Sequence, residues 1–319
     1  MKLTVIGCGR WGTFLAWYLD RLGHTVTLYG RESSARMQRL MQERKNDLLT
    51  LPERMRLTTS LAEAAEAETI VISIGSQNLQ GLMDQLASRG VQGKTFVLCM
   101  KGLEAGTGRR LSEIVRSTLD ASNRVAVWLG PGHVQEFTAG VPNCMVIDSS
   151  DPALKEELAE AFAGDLIRFY YGEDLLGNEI GAAAKNVIGI AAGMLDGLSL
   201  TTLKGALMSR GTREIARLIA AMGGNELSAY GLCHLGDYEA TVFSRHSQNR
   251  RFGEAFVRGE AYDKLAEGYY TVRALIKLGA EYGVELPICQ AVYDILFEGR
   301  DPRSALDALF KRERKREIK

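Results

Sequence analysis

The sequence predicts a doubly wound α/β sheet domain over residues 1–172, followed by an all-α domain over residues 173–319. Two observations carry this prediction. As far as Tyr171, short apolar runs rich in β-branched residues alternate with segments of helical periodicity. Beyond that point strand patterns cease, and a long apolar helical pattern rich in Gly and Ala covers 177–198. The length of 319 residues also fits two domains better than one.

The predicted elements of the first domain alternate along the chain. Strands are expected at 3–6, 24–29, 55–59, 69–74, 95–100, 124–129, 144–148 and 166–171. Helices are expected at 11–22, 32–44, 60–67, 80–89, 109–119 and 152–162. Such alternation favours a largely parallel sheet, whose ligands bind beyond the carboxyl ends of the strands. Ser76, Lys101 and Gly130 follow three of these strands and are expected at that edge.

A glycine-rich turn joins the first strand to the first helix. Gly7, Gly9 and Gly12 have the GxGxxG spacing, and strand, turn, helix and strand follow in the order that the dinucleotide fingerprint requires. Gly7 permits the tight turn, Gly9 lets the backbone approach a pyrophosphate, and Gly12 lets the helix pack on the strand. The free amides at the helix start then face an anion. The turn predicts a Rossmann-like nucleotide site, and the alternative is an ordinary tight βα turn.

The end of the second strand bears on which nucleotide binds. An NAD site usually carries Asp or Glu there, to take the ribose 2′-hydroxyl. Here Tyr29 and Gly30 are followed by Arg31, which suits a 2′-phosphate or stacks on adenine in either cofactor. The expected cofactor is therefore NAD or NADP, with the choice open.

The composition argues against several classes of partner. The 39 basic residues balance the 39 acidic ones, so no overall field attracts nucleic acid, and any anion site must be local. The basic segment 311–316 is typical of a solvated helix end. No apolar stretch reaches the length of a membrane span, so none is expected. Five cysteines without CxxC spacing indicate reduced thiols in a cytoplasmic protein and no metal site.

Lys185 is the most informative single residue. Its neighbours on a helix, three, four and seven positions away, are Asn178, Gly181, Ala182, Ile188, Gly189 and Ala192. This face is small and apolar, and a buried ammonium there needs a carboxylate or an anionic ligand, or it loses its proton. The alternative is a lysine that extends out of the helix to reach solvent.

Two further groups could take part in chemistry. Lys101 stands at the end of a predicted strand, where it could bind a ligand. The alternative is an ordinary loop lysine without a functional role. Asp237, Thr241 and Ser244 share one face if the segment is an α-helix, and residues 247–251 offer hydroxyl, amide and guanidinium groups suited to phosphate. A solvated turn with a helix cap is the alternative. The four histidines show no ligand or triad spacing and are expected to be mostly structural or exposed.

Several short motifs occur in order along the chain. They are Gly7-x-Gly9-x-Trp11-Gly12-Thr13, Met100-Lys101-Gly102, Gly130-Pro131, Glu179-x5-Lys185-Asn186-Val187, Ala191-Ala-Gly193-x-x-Asp196-Gly197-Leu198, Arg210-Gly211, Gly236-Asp237, Asn249-Arg-Arg-Phe-Gly253 and Glu267-Gly268. With these motifs the chain resembles bacterial-type NAD(P)-dependent glycerol-3-phosphate dehydrogenase over nearly its whole length. The resemblance implies reversible reduction of dihydroxyacetone phosphate to sn-glycerol 3-phosphate, which supplies phospholipid synthesis.

The resemblance also implies roles for individual residues. Lys185 would donate and accept the proton, Lys101 would hold the substrate and polarise its carbonyl, and Asp237 would support Lys185. The implied substrate contacts are Lys101, Gly130, Gly132, Asn186, Asp237, Thr241, Ser247, Gln248 and Asn249. The implied cofactor contacts are Gly7, Gly9, Arg10, Trp11, Gly12, Arg31, Lys101, Val134, Gln248, Leu265 and Glu267. No metal is implied.

The sequence departs from the family pattern at ligand-facing positions. Gln248 stands where members usually have an arginine that grips phosphate, and only Arg245 or Arg250 could replace that arginine. Gly132 stands where a serine is usual, and Gly75 replaces a usual proline. These changes support a separate hypothesis, in which the affinity for the substrate is altered or the substrate is a related compound.

Two other functions are consistent with the sequence. One is a 2-dehydropantoate or β-hydroxyacid type reductase, which has the same domain plan and a helix lysine but needs an arginine clamp for its carboxylate. The other is a non-catalytic NAD(P)-binding sensor, which the lysines at 101 and 185 disfavour because binding alone needs no proton donor. A homodimer is expected from the apolar character of the helical domain.

Overall fold

The computed structural model describes residues 1–314 and 316–317. Within the basic segment 311–316, Lys315 lies outside the described residues. Eight strands of the described chain form one sheet in the order β3-β2-β1-β4-β5-β6-β7-β8. The strands are β1 Lys2–Ile6, β2 Thr25–Tyr29, β3 Arg56–Thr58, β4 Thr69–Ile72, β5 Thr95–Leu98, β6 Arg124–Leu129, β7 Asn143–Asp148 and β8 Ile167–Tyr171.

Helices cover both faces of the sheet and then form the second domain. The helices of the sheet domain are α1 Arg10–Arg21, α2 Ala35–Glu43, α3 Leu61–Ala64, α4 Leu79–Ala87, α5 Leu111–Thr118, α6 Val134–Thr138 and α7 Pro152–Phe162. Those that follow are α8 Leu175–Gly197, α9 Lys204–Ala221, α10 Gln248–Arg258, α11 Glu267–Glu281, α12 Pro287–Phe297 and α13 Pro302–Phe310. The fold class predicted from the sequence is confirmed, although the ends of several elements differ from the predicted ones.

The sheet is parallel except where β6 pairs antiparallel with β7. The connection between these two strands contains α6, a helix of five residues that the sequence did not predict. Five helical residues rise about 7.5 Å, whereas the six residues of β6 span about 20 Å. Because α6 is too short to return the chain to the other end of the sheet, β7 runs back alongside β6.

The long helix α8 organises the second domain. Every residue from 177 to 195 is buried, as expected for a helix that is apolar on all sides. Its small residues let α10 approach closely: a Cβ at Gly193 would overlap the backbone of Arg250, and one at Gly253 would overlap the carbonyl of Ile190. This contact fixes the start of α10 beside the middle of α8.

A buried carboxylate ties α8 to the sheet domain. Glu179 accepts hydrogen bonds from the backbone amide of Ser112 at 2.9 Å and from its hydroxyl at 2.6 Å. Arg110 donates to the same carboxylate at 3.0 Å. Burial raises the pKa of Glu179, while Arg110 acts in the opposite direction.

Within the described chain, no helix combines the length and apolarity that crossing a bilayer requires.

Candidate active site

The glycine turn leaves an open cradle at the start of α1. Gly7 has φ +122°, and a Cβ there would overlap the carbonyl of Ser73. A Cβ at Gly12 would overlap the carbonyl of Gly7, whereas a Cβ at Gly9 would meet nothing within 4 Å. No side chain caps the first amides of α1 in the described structure. Free amides beside open space fit the pyrophosphate of a dinucleotide.

The other predicted cofactor residues lie around this cradle or along the domain junction. Arg10 and Arg31 are exposed, and Trp11 packs on Phe14 and Phe137 with ring centroids 5.2 and 6.1 Å apart. Val134 begins α6, and Leu265 is an exposed apolar side chain just before α11.

Glu267 connects the two domains beside Gly75. Its carboxylate accepts a hydrogen bond from the Ser76 amide at 3.1 Å and another from the Ser76 hydroxyl. Burial raises the pKa of Glu267, and the bonds from Ser76 oppose that rise. The first residue of α11 is therefore fixed at the carboxyl end of β4.

Lys185 is buried at the centre of the second domain's junction with the sheet. The residue is 7% exposed, and its Nζ lies 2.8 Å from Oδ2 of Asp237. Nζ also donates to the hydroxyl of Thr241 at 2.7 Å. Burial lowers the pKa of Lys185 from 10.5 to about 8, with Lys101 acting in the same direction and Asp237 opposing it. The group can thus gain or lose a proton near neutral pH.

Lys101 reaches the same carboxylate oxygen from the sheet. Its Nζ lies 2.7 Å from Oδ2 of Asp237 and donates to the carbonyl of Gly130 at 2.5 Å. Two ammonium groups against one carboxylate leave a net positive charge at the carboxyl ends of β5 and β6. The three side chains at 101, 185 and 237 are called the lysine cluster below.

The backbone around Asp237 differs from the predicted α-helix. A 3₁₀ turn, Leu235–Asp237, is followed by a π-helix, Glu239–Phe243. The predicted shared face of Asp237, Thr241 and Ser244 is therefore wrong for Ser244, which lies beyond the π-helix in an extended conformation. A π turn is wider than an α turn, so spacings of three and four no longer stay on one face.

An amide chain joins the lysine cluster to α10. Asn186 donates to the Lys101 carbonyl at 2.7 Å and accepts from Asn249 at 2.9 Å. Asn249 in turn accepts from the Gly268 amide at 2.9 Å. Ser247 caps α10 by accepting from the Arg250 amide at 3.3 Å. The predicted phosphate residues thus meet at the N-terminus of an 11-residue helix.

The structure shows what Gln248 contacts and whether Arg245 or Arg250 is free to take the place of the usual arginine. Gln248 accepts a hydrogen bond from the Tyr262 hydroxyl at 2.6 Å. Arg250 pairs with Asp196 at 2.6 Å, so its guanidinium is held by an acid, and Arg245 is exposed.

Gly132 has a backbone that disfavours a side chain. Its φ is +149°, and a Cβ there would overlap the ring of Phe137. The serine usual in the family is therefore sterically opposed in this chain.

One group at the site was not identified from the sequence. His133 follows Gly132 beyond the end of β6, and its ring centroid lies 5.7 Å from that of His246. Burial lowers the pKa of His133, and the charges of Lys185 and Asp237 also act on it. Its position just past a strand's carboxyl end was the signal that could have identified it.

Comparisons with known proteins agree along the whole chain. Family models described as NAD-dependent glycerol-3-phosphate dehydrogenase N-terminus and C-terminus match residues 2–155 and 174–307. A glycerol-3-phosphate dehydrogenase (NAD(P)+) of Chlorobium limicola is 36% identical, with 100% of each chain covered. One from Thermoanaerobacter sp. is 34% identical, covering 100% of this chain and 99% of its own.

A solved structure extends the comparison. The crystal structure of glycerol-3-phosphate dehydrogenase from Coxiella burnetii has a TM-score of 0.89 at 30% identity, covering 98% of this chain and 99% of its own. A ketopantoate reductase from Ralstonia eutropha, at 14% identity and a TM-score of 0.63 over 97% of this chain and 99% of its own, shares the fold alone. The chain belongs to the family of NAD-dependent glycerol-3-phosphate dehydrogenases.

Proposed function

We propose that this chain reversibly reduces dihydroxyacetone phosphate to sn-glycerol 3-phosphate with NADH or NADPH, and so supplies phospholipid synthesis. The observation that carries the proposal is the lysine cluster, in which Lys185 and Lys101 share one oxygen of Asp237. A net positive charge at the end of a parallel sheet attracts an anionic substrate and stabilises negative charge that develops on a carbonyl oxygen.

Lys185 is the proton donor in this proposal. Its ammonium protonates the oxygen that becomes the alcohol, and its neutral amine accepts that proton in the reverse reaction. Lys101 polarises the same carbonyl, and Asp237 holds both ammonium groups in place. A pKa of about 8 for Lys185 makes both directions accessible near neutral pH.

A dinucleotide would be held by residues of both domains. When bound, the nicotinamide supplies the hydride chemistry. The proposed contacts are Gly7, Gly9, Arg10, Trp11, Gly12, Arg31, Lys101, Val134, Gln248, Leu265 and Glu267. No cluster of potential metal ligands occurs among the described residues, and the proposed steps use none.

The substrate phosphate is assigned to the start of α10. Backbone amides at a helix N-terminus favour a bound anion, and Ser247 and Asn249 are already ordered there by hydrogen bonds. Gln248 offers an amide where an arginine would offer a charge. Gly130, Gly132, Asn186 and Thr241 complete the proposed substrate contacts.

The test is oxidation of NADH and of NADPH with dihydroxyacetone phosphate, followed by the absorbance of the reduced cofactor. Saturable turnover with either one supports the proposal, and Lys185→Met should abolish it. Lys204→Met is a matched control, because Lys204 is equally buried but pairs with Asp196. Cofactor binding without turnover of this substrate, together with turnover of a 2-keto acid, would overturn the proposal.

We also propose that the protein is cytoplasmic and forms a homodimer. We propose that each chain is divided into two domains between residues 172 and 173. All five cysteines are free, which suits a reducing compartment. Exposed apolar side chains at Leu227 and Phe310 support self-association of the helical domain. The boundary follows the end of β8 and precedes α8. Light scattering of the purified protein should give twice the chain mass, and a monomeric mass would refute the dimer.

A further inference from the structure

A polar side chain outside the lysine cluster has an unsatisfied buried atom. Nε2 of His133 is screened from solvent and has no hydrogen-bond partner among the described residues. Leaving such an atom unpaired destabilises the folded state, because the atom has lost its hydrogen bonds to water. Buried unpaired atoms of native proteins call for an explanation, and an expected ligand group is one.

The position of His133 places it at the edge where the substrate is proposed to bind. It follows Gly130, Pro131 and Gly132, none of which has a polar side chain. Its ring makes an edge contact with His246, two residues before Gln248. The charges of Lys185, Asp237 and Glu136 act on it from three different elements.

The imidazole is suited to a hydroxyl. Burial lowers the pKa of His133, which favours the neutral ring. The other ring nitrogen has a hydrogen bond to the Ala240 backbone that favours its N–H form, so Nε2 is left as an acceptor, and a substrate hydroxyl can donate to it. A phosphate is better matched by charged donors and helix amides.

We propose that His133 binds the free hydroxyl of the phosphorylated ketone and so selects substrates that carry it. This inference rests on the proposed function. Dihydroxyacetone phosphate has three polar groups: the carbonyl faces the lysine cluster, the phosphate lies at the start of α10, and the hydroxyl remains to be paired. A site that hydrogen-bonds a hydroxyl rejects an analogue without it, because the buried partner is left unpaired.

The experiment compares dihydroxyacetone phosphate with hydroxyacetone phosphate, in which hydrogen replaces that hydroxyl. The ratio of the two kcat/KM values should be large in the unaltered protein. His133→Ala should lower the ratio about 10- to 100-fold, mainly through the hydroxylated substrate. His133→Asn, which retains a donor and an acceptor, should restore part of the ratio.

A control variant and two further results distinguish a hydroxyl-binding role of His133 from a purely structural one, and from failure of the proposed function. His246→Ala removes the neighbouring ring and should leave the ratio within about 3-fold of its original value. Equal losses on both substrates in His133→Ala would overturn the inference, because they would indicate a purely structural role. An absence of turnover of dihydroxyacetone phosphate by the unaltered protein would instead refute the proposed function.

Discussion

Replacing Lys185 by Met is expected to stabilise the protein while removing its activity. The pKa of Lys185 falls from 10.5 to about 8 because the side chain is buried. At about 1.4 kcal/mol for each pH unit, this difference means that the protonated lysine costs the folded state about 3 kcal/mol. Methionine has a similar length and carries no charge, so it avoids that cost.

The contacts that Lys185→Met removes reduce the gain in stability. Thr241 loses the hydrogen bond from Nζ, a loss of about 1 kcal/mol. Asp237 keeps Lys101 at 2.7 Å and is not left without a cation. The expected net gain in stability is therefore about 2 kcal/mol, which corresponds to a Tm higher by a few degrees.

The pH dependence of this gain is the sharper test. The folded-state pKa of Lys185 lies below its unfolded value, so the cost is complete below about pH 8 and disappears as the pH rises towards 10.5. The Tm difference between Lys185→Met and the unaltered protein should thus be greatest near neutral pH. It should shrink as the pH rises through this window.

Calorimetric scans across that pH range, with turnover assays at each point, check the reasoning. Activity should fall at least about 100-fold. Lys204→Met should instead lower the Tm, because it removes the ion pair with Asp196 at 2.6 Å and the hydrogen bond from Nζ to the Val242 carbonyl at 3.2 Å. A lower Tm for Lys185→Met, or a Tm difference that does not change with pH, would refute the conclusion that protonated Lys185 destabilises the folded state.

Three other outcomes are expected. The kcat/KM for ketone reduction should fall as the pH rises through about 8, the pKa of Lys185, and Asp237→Asn should move the midpoint lower because Asp237 raises that pKa. Gly132→Ser should lower the free energy of unfolding by about 2 kcal/mol, because its φ is +149° and Phe137 lies in the way. Glu179→Ala should lower it by about 3–5 kcal/mol, since a buried ion pair and its hydrogen bonds are broken.

The expectation for Glu179→Ala has a control variant, and the other two have results that would contradict them. Glu173→Ala breaks an ion pair whose carboxylate is 83% exposed, and it should change stability by less than about 1 kcal/mol. A Gly132→Ser protein as stable as the original would show that Phe137 can move aside. A pH midpoint that stays fixed in Asp237→Asn would mean that a group other than Lys185 controls the rate.

Much of the fold follows from local patterns. Apolar runs with β-branched residues marked the strands, because a strand buried on both faces has few polar positions. The antiparallel pairing of β7 was not predicted, because it depends on the length of α6, and five helical residues leave too weak a periodicity. The π-helix at Glu239–Phe243 was not predicted either, since its spacing resembles that of an α-helix over so short a segment.

The candidate site was less accessible from the sequence. Lys185 stood out because its helix neighbours are small and apolar, a local pattern. Asp237 was singled out by its spacing with Thr241, but its place beside Lys185 came only from the family resemblance, because that contact depends on how the domains pack. His133 had neither signal, because Lys185, Asp237 and His246, which surround it, are distant from it in sequence.

The lysine cluster joins parts of the chain that are made at different times. Lys101 precedes Asp237 by 136 positions. Because synthesis begins at the N-terminus, the strands through β8 can leave the ribosome before Asp237 exists. Until then Lys101 can donate to the Gly130 carbonyl but has no carboxylate to pair with. The lysine cluster is thus assembled only when the helical domain docks, after about three-quarters of the polypeptide (237 of 319 residues) has been made.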